Sequence, residues 1–333
     1  MSYDHQIAYY KELFDKFDLD ILDKYTLVFE NTLTKNLDED LIILRDIINT
    51  SNKKVLLMYD SNPSWYFEDY FELLAKHIDN VYLSSADLLN LWNSHPRIVY
   101  FPTFYFTQLQ ETNYQSLDKK YRFSFLSNKP RFHRIYCYHK IKDAISDDDV
   151  VSVNNSAFGR EWWKESYIVN MKTVIGSYDK TIEEGLPFIT NNALLCNKQL
   201  THPTDHLNNK HIAYNAYFNI TGESNIVPNK VFLTEKTWKA VFSGVVPIFL
   251  ESNSTFDALE RIGFEFVNAV NIKNVGYLGK IAHINACVKT YDMHKTNRFY
   301  SKLLPQINKN IERFYSNALI NIFTEHIRDK LKV

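Results

Sequence analysis

The chain has 333 residues, enough for two α/β domains with separate cores. Its 45% hydrophobic and 15% aromatic content excludes a disordered or low-complexity protein. The formal net charge of −1 excludes a protein that binds nucleic acid through a strongly basic overall surface. Three widely spaced cysteines form no disulfide framework, and no run reaches the roughly 18 apolar residues of a membrane span. The first residues lack the order of a signal peptide, so we expect a cytoplasmic protein with no membrane span.

Strand-like and helix-like segments alternate along the first third of the chain. The predicted strands are residues 26–29, 54–59, 81–83 and 97–101, and the predicted helices are residues 38–48, 65–78 and 86–92. This alternation is typical of parallel βαβ units. We therefore predict a Rossmann-like, doubly wound domain over residues 1–115, followed by a polar linker near residues 108–120.

The same alternation returns after the linker. The predicted strands are residues 122–126, 150–153, 216–220, 245–250 and 264–267, and the predicted helices are residues 131–145, 235–243, 255–262 and most of the last forty. A second Rossmann-like domain is expected over residues 120–333, with its last helix packing back on the first domain. Two such α/β domains are expected to face each other across a cleft at the carboxyl ends of their strands.

Residues 231–239 contain a polar, charged connection between a predicted strand and a predicted helix. Thr234 is a good N-cap residue, and the free amides after it favour a negative group. Glu235 has the chemistry to accept hydrogen bonds from two ribose hydroxyls. Lys236 lies in the first helical turn, where a cation opposes the helix dipole unless an anion is bound nearby. The alternative is an ordinary amphipathic helix whose first turn carries solvated charges.

These residues resemble a known motif. Glu223-Ser224, then residues 232–236 (Phe-Leu-Thr-Glu-Lys), then residues 244–248 (Gly-Val-Val-Pro-Ile) are similar to the donor domain of α1,3-fucosyltransferase-type glycosyltransferases and to related bacteriophage glycosyltransferase-like proteins. The resemblance covers residues 120–270. It departs from that pattern in the order Glu223-Ser224-Asn225, where Glu-Asn-Ser is usual, and in a longer spacer before Thr234.

The resemblance implies the GT-B architecture and an inverting, metal-independent transfer. It implies that a UDP- or GDP-sugar binds as a co-substrate in the C-terminal domain, with no permanently bound cofactor, and that the first domain binds the acceptor. The donor site would include Glu223, Ser224, Thr234, Glu235 and Lys236. The acceptor would be a glycan or a hydroxymethylated pyrimidine in phage DNA.

A basic segment lies at residues 119–142, where eight Lys and Arg residues occur with no acidic residue. Its centre follows a predicted strand and contains Asn128, Arg131 and Arg134. A guanidinium fork matches phosphate geometry, so Arg131 or Arg134 is expected to hold the departing diphosphate. The resembled family also places a diphosphate-binding arginine after this strand. The alternatives are a solvated helix face or a non-catalytic nucleic-acid-binding strip.

Acidic residues are the candidates for the catalytic base and for metal ligands. Asp60 and Glu30 each follow a predicted strand of the first domain, so either carboxylate is a candidate base, and Asp60 is favoured. The acidic runs at residues 18–20 and 147–149 are interpreted as solvated segments, and His202 and His206 lie in a loop broken by proline. We therefore expect no metal site.

Overall fold

The computed structural model describes residues 3–59, 65–93, 95–110, 119–127, 132–154, 194–196, 215–223, 230–250, 253–267, 269–273 and 275–333. The chain divides into two compact units, one of residues 1–111 with 315–333 and one of residues 112–314. No helix within the described ranges combines the length and apolar character needed to cross a membrane.

Helices and strands are numbered in chain order. The helices are α1 (Tyr3–Lys16), α2 (Ile21–Lys24), α3 (Leu37–Ser51), α4 (Trp65–Ala75), α5 (Thr103–Gln110), α6 (Phe132–Ile141), α7 (Glu235–Phe242), α8 (Asn253–Arg261), α9 (Tyr277–Thr290), α10 (Met293–Phe314) and α11 (Asn317–Leu331). The strands are β1 (Tyr25–Phe29), β2 (Lys54–Tyr59), β3 (Val81–Ser85), β4 (Ile98–Tyr100), β5 (Tyr121–Ser127), β6 (Val150–Asn154), β7 (Leu194–Cys196), β8 (Ala216–Thr221) and β9 (Val246–Phe249). Short 3₁₀ turns occur at Glu30–Thr32, Leu88–Leu91 and Lys142–Ala144.

The first unit is built on a sheet of four parallel strands in the order β1-β2-β3-β4. Because strand order follows chain order, right-handed crossovers place α3 and α4 on the same face. Leu44 of α3 and Phe71 of α4 are both fully buried in the core on that face. On the other face, Phe14 of α1 contacts Phe101 at 5.6 Å between ring centroids. Helices therefore cover both faces of a parallel sheet, as the α/β prediction requires.

The described strands of the second unit form a five-stranded sheet in the order β7-β6-β5-β8-β9, and among them only β7 runs antiparallel to its neighbour. From β5, the chain adds β6 on one side and later β8 and β9 on the other. The direction of winding therefore reverses between β5 and β8. Helix α7 contacts β8 and β9, and its Trp238 is fully buried against Phe264 and Phe314.

Several elements of the structure differ from the prediction. Residues 3–16 form a helix that was not predicted, and residues 88–91 form a 3₁₀ turn where a longer helix was expected. The predicted strand at residues 264–267 does not form. The amide of Asn310 accepts from the backbone N–H of Glu265 at 2.9 Å and donates to its carbonyl at 2.7 Å. A side chain therefore satisfies the backbone groups that a strand partner would have paired.

Candidate functional site

The carboxyl ends of β5 and β8 lie side by side at the reversal of strand order. Ligands of open α/β sheets bind outside the carboxyl ends of strands at such a reversal, because helix N-termini converge there. Ser127 ends β5, and Thr221 ends β8 and is followed by Gly222 and Glu223. Helices α6 and α7 begin at the same edge, so the predicted donor-site segments belong to one part of the fold.

The buried carboxylate of Glu223 accepts hydrogen bonds at the N-terminus of α7. Its side chain is fully buried, and its carboxylate accepts from the backbone N–H groups of Thr234 and Thr237 at 2.8 and 3.3 Å. The hydroxyls of both threonines also donate to it, that of Thr237 at 2.7 Å. The sequence predicted that the amides after Thr234 would attract a ligand's negative group. In the structure the protein's own carboxylate binds one of them, the N–H of Thr237, so Glu223 supports the site from within.

Glu235 and Lys236 are partly exposed charged residues in the first turn of α7. The ammonium of Lys236 lies 2.6 Å from Glu235 Oε1 and 3.3 Å from Thr234 Oγ1, and each charged side chain is 29% exposed. Burial opposes ionisation of Glu235, but the attraction of Lys236, hydrogen bonds from Lys236 and the residue's own N–H, and the charge of Lys239 together outweigh it and lower the pKa of the carboxyl. Described residues therefore engage two of the three ammonium protons of Lys236, and the carboxylate of Glu235 keeps lone pairs to accept further bonds.

The ion pair also gives a second reason for a lysine in the first helical turn. Glu235 neutralises the charge of Lys236 locally. The unfavourable position of Lys236 against the helix dipole therefore does not by itself require a bound phosphate. What the pair offers to a ligand is one N–H donor next to one carboxylate acceptor.

Arg134 is buried at the carboxyl edge of the sheet and does not lie on the protein surface. The side chain is 2% exposed, with Nε donating to the Gly222 carbonyl at 3.0 Å and Nη1 lying 3.5 Å from Ser127 Oγ. The guanidinium therefore joins the end of β5 to the end of β8. In this arrangement it holds the two strand ends in place, whereas Arg131, the other predicted arginine, lies outside the described residues.

Three residues that the sequence did not single out complete the network. His133 Nε2 lies 2.7 Å from the Glu223 carbonyl, and the Tyr277 hydroxyl donates to the His133 carbonyl. A Cβ on Gly222 would lie 3.2 Å from Arg134 Cγ and 3.1 Å from a Leu250 methyl. His133 and Arg134 at the start of α6 belong to the basic segment. Their hydrogen-bond partners are too distant in sequence for a local pattern to predict them.

The basic segment has its first arginine in the core. Arg122 makes a buried ion pair with Asp149, with Nη2 2.6 Å from Oδ2, and donates further to the carbonyls of Val288 and Tyr291. Residues 147–149 were interpreted as a solvated turn, which is wrong for Asp149, since that side chain is only 1% exposed. The pairing across β5 and β6 explains why a carboxylate is buried there.

The remaining predicted site residues divide between the first unit and the undescribed ranges. Glu30 follows β1 directly, is exposed, and opens the 3₁₀ turn whose first carbonyl accepts from the Tyr59 hydroxyl at 3.4 Å. The predicted residues Asp60, Asn128 and Ser224 lie outside the described residues, as do His202 and His206, which were not expected to bind a metal.

Two further findings bear on the chemistry of this edge. Across the described residues, no three His, Cys, Asp or Glu side chains are grouped to hold a metal ion. Comparison of the chain with protein-family models, with curated proteins and with solved structures found no match.

Proposed function

We propose that the protein is a glycosyltransferase whose second unit binds a UDP- or GDP-sugar at the carboxyl ends of β5 and β8. The observation that supports this most strongly is the position of Glu235 and Lys236. They stand partly exposed at the start of a helix, next to the reversal of strand order, where nucleotide-binding sheets hold their ligands. The motif resemblance across residues 223–248 points to the same ligand class.

In this proposal each exposed group has a distinct role. Glu235 accepts hydrogen bonds from the ribose hydroxyls, and its lowered pKa keeps it ionised at neutral pH. Lys236 donates its remaining proton to the diphosphate, and Arg131 shares that charge. Fixed cations stabilise the negative charge that develops on the leaving nucleotide. Thr234, Glu223, Ser224, Asn128 and Arg134 complete the donor site, with the buried members shaping it.

Transfer with inversion also requires a base for the acceptor hydroxyl. Asp60 and Glu30 at the strand ends of the first unit are the candidates, with a glycan or a hydroxymethylated pyrimidine in DNA as the acceptor. The competing hypothesis is a non-catalytic nucleic-acid-binding protein that uses residues 119–142. Because Arg122 and Arg134 are engaged in internal hydrogen bonds, that strip presents fewer cations than its sequence suggests.

Thermal unfolding with UDP, GDP and their sugars tests the donor proposal. A ligand at 100 times its dissociation constant stabilises a protein by about 2.7 kcal/mol, which is easily measured as a melting shift. The shift should shrink for Glu235→Gln and for Lys236→Met. Lys302→Met, which removes an exposed cation from α10, is the matched control and should keep the full shift. Stabilisation by DNA or RNA that weakens steeply with salt, with none by nucleotides, would instead support the nucleic-acid hypothesis.

Measurement of turnover distinguishes the catalytic base from the residues of the donor site. Slow release of free nucleotide from a nucleotide-sugar, with and without candidate acceptors, measures the reaction. Asp60→Asn or Glu30→Gln should keep nucleotide affinity and lose transfer, because the base acts only on the acceptor hydroxyl. If both variants transfer sugar at the unmodified rate, the base lies elsewhere.

A further inference from the structure

The hydroxyl of Thr234 lies between a buried carboxylate and a partly exposed ammonium. It donates to Glu223 Oε2, and Lys236 Nζ lies 3.3 Å from the same oxygen. A hydroxyl has one proton and two lone pairs, whereas a carboxylate can only accept. Donation to Glu223 therefore leaves the Thr234 oxygen as an acceptor that faces Lys236.

We propose that Glu223 and Thr234 are positioning residues that fix the ammonium of Lys236 for an anionic ligand group. The inference rests on the proposed function for the identity of that group, the diphosphate of a nucleotide. Thr234 and Glu235 each hold one ammonium proton, the latter at 2.6 Å, so the third proton has a defined direction. Lysine side chains carry large rotamer entropy, and fixing one before binding lowers the entropic cost of binding.

The burial of Glu223 gives this arrangement its rigidity. Its carboxylate is bound to the backbone and hydroxyls of both Thr234 and Thr237, at four contacts. The residue follows β8, so the sheet and α7 are joined at the point from which Lys236 extends. The Thr234 oxygen also accepts the backbone N–H of Lys236 at 3.4 Å as the N-cap of α7, so one hydroxyl fixes both the start of the helix and the ammonium.

Thr237 offers a matched control for Thr234. Its hydroxyl also donates to Glu223, at 2.7 Å, and its side chain is fully buried. Among the hydrogen bonds of the described residues, however, it has none to Lys236. Valine at either position removes one hydroxyl from Glu223, but Thr234→Val also removes the acceptor of the ammonium and of the Lys236 backbone N–H. Thr234→Ser restores that acceptor.

The first experiment compares nucleotide affinity across these variants of the full chain. Isothermal titration with UDP and GDP should show a loss of about tenfold for Thr234→Val, as expected for one weakened charge-assisted hydrogen bond. Thr234→Ser and Thr237→Val should stay within about twofold of the unmodified chain. Equal affinity losses for Thr234→Val and Thr237→Val would reduce Thr234 to a structural role and overturn the proposal, as would full affinity in Thr234→Val.

A second measurement needs no nucleotide. The side-chain ammonium of Lys236, observed by ¹⁵N-edited NMR and assigned with Lys236→Met, should exchange slowly in the unmodified chain and in Thr237→Val. Its signal should be lost to fast exchange in Thr234→Val. If no nucleotide binds the unmodified chain, the proposed function fails and this signal alone decides the positioning role. Identical signals in the two valine variants would then rule it out.

Discussion

The guanidinium of Arg122 lies in the core with its Nη2 2.6 Å from Oδ2 of Asp149. Nε of the same side chain donates to Oδ1 at 3.1 Å, so the contact has the two-pronged geometry that arginine forms with a carboxylate. Backbone carbonyls at the end of α9 and the N–H of Ser146 satisfy further groups of the pair. The pair ties β5, the turn before β6, and the end of α9 together.

Removing one partner of this ion pair should strongly destabilise the second unit. Asp149→Ala leaves a buried guanidinium without its counter-charge, for which a loss of about 3–5 kcal/mol in the free energy of unfolding is expected. Urea unfolding followed by circular dichroism measures it. Asp292→Ala breaks the exposed pair with Lys295, at 3.4 Å, together with the bond from the Lys295 N–H at 2.8 Å, and should cost clearly less than Asp149→Ala. Similar losses for the two variants would contradict the structural role of Arg122.

The stability of the first unit should fall in mild acid because of His326. Its Nε2 accepts the backbone N–H of Tyr100 at 3.1 Å, and burial, with a smaller contribution from Lys330, lowers the pKa of the imidazole from 6.5 to about 4. A protonated ring cannot accept that bond. The stabilisation is therefore fully present above pH 6.5 and is lost as the pH falls towards 4.

The expected loss is on the order of 2–3 kcal/mol across that pH window. His326→Gln should flatten this part of the pH profile of unfolding, measured by urea titration at each pH. His294→Gln removes an exposed imidazole from α10 and should leave the profile unchanged. A profile that is equally steep in His326→Gln would assign the acid sensitivity to other groups.

Asn271 takes the place of a neighbouring strand beside β9. Its amide donates to the Pro247 carbonyl at 2.7 Å and accepts the Phe249 N–H at 3.0 Å, and the side chain is 3% exposed. Asn271→Leu keeps the approximate volume but leaves two buried backbone groups unpaired, for a loss of roughly 2–4 kcal/mol in unfolding free energy. Asn308→Leu, at an exposed position of α10, should change stability by less than about 0.5 kcal/mol.

Gly222 is expected to control the position of Arg134. A Cβ there would lie 3.2 Å from Arg134 Cγ and 3.1 Å from Leu250, so one of these side chains must shift by a few tenths of an ångström. Gly222→Ala should therefore weaken nucleotide binding about threefold to tenfold, because the shift disturbs the strand ends that frame the proposed site. Affinity is measured by isothermal titration.

Gly276→Ala serves as the comparison. A Cβ at that N-cap position meets no atom within 4 Å, so its cost is limited to about 1 kcal/mol of helix stability and nucleotide affinity should be unchanged. If Gly222→Ala binds nucleotide as tightly as Gly276→Ala does, the geometry around Arg134 has no part in ligand binding.

Local patterns in the sequence were sufficient for most of the fold. The alternation of apolar runs and helical periodicity predicted the parallel strands β1 to β4 and β5, β6, β8 and β9 within a few residues. Thr234 was correctly predicted as the N-cap of α7, since its side chain accepts from the N–H of Lys236. These features depend on residues within one or two turns or strands of each other, so a local pattern contains the information.

Tertiary structure decided the features that join distant parts of the chain. Sequence alone did not reveal that winding reverses between β5 and β8, that Glu223 fills the anion position of a helix starting 12 residues later, or that Arg122 pairs with Asp149. A buried charge is stable only where its partners converge, and that convergence depends on which strands become neighbours. The sequence determined the types of elements and the chemistry of Thr234, Glu235 and Lys236, whereas long-range packing decided which of the charged residues remain exposed to a ligand.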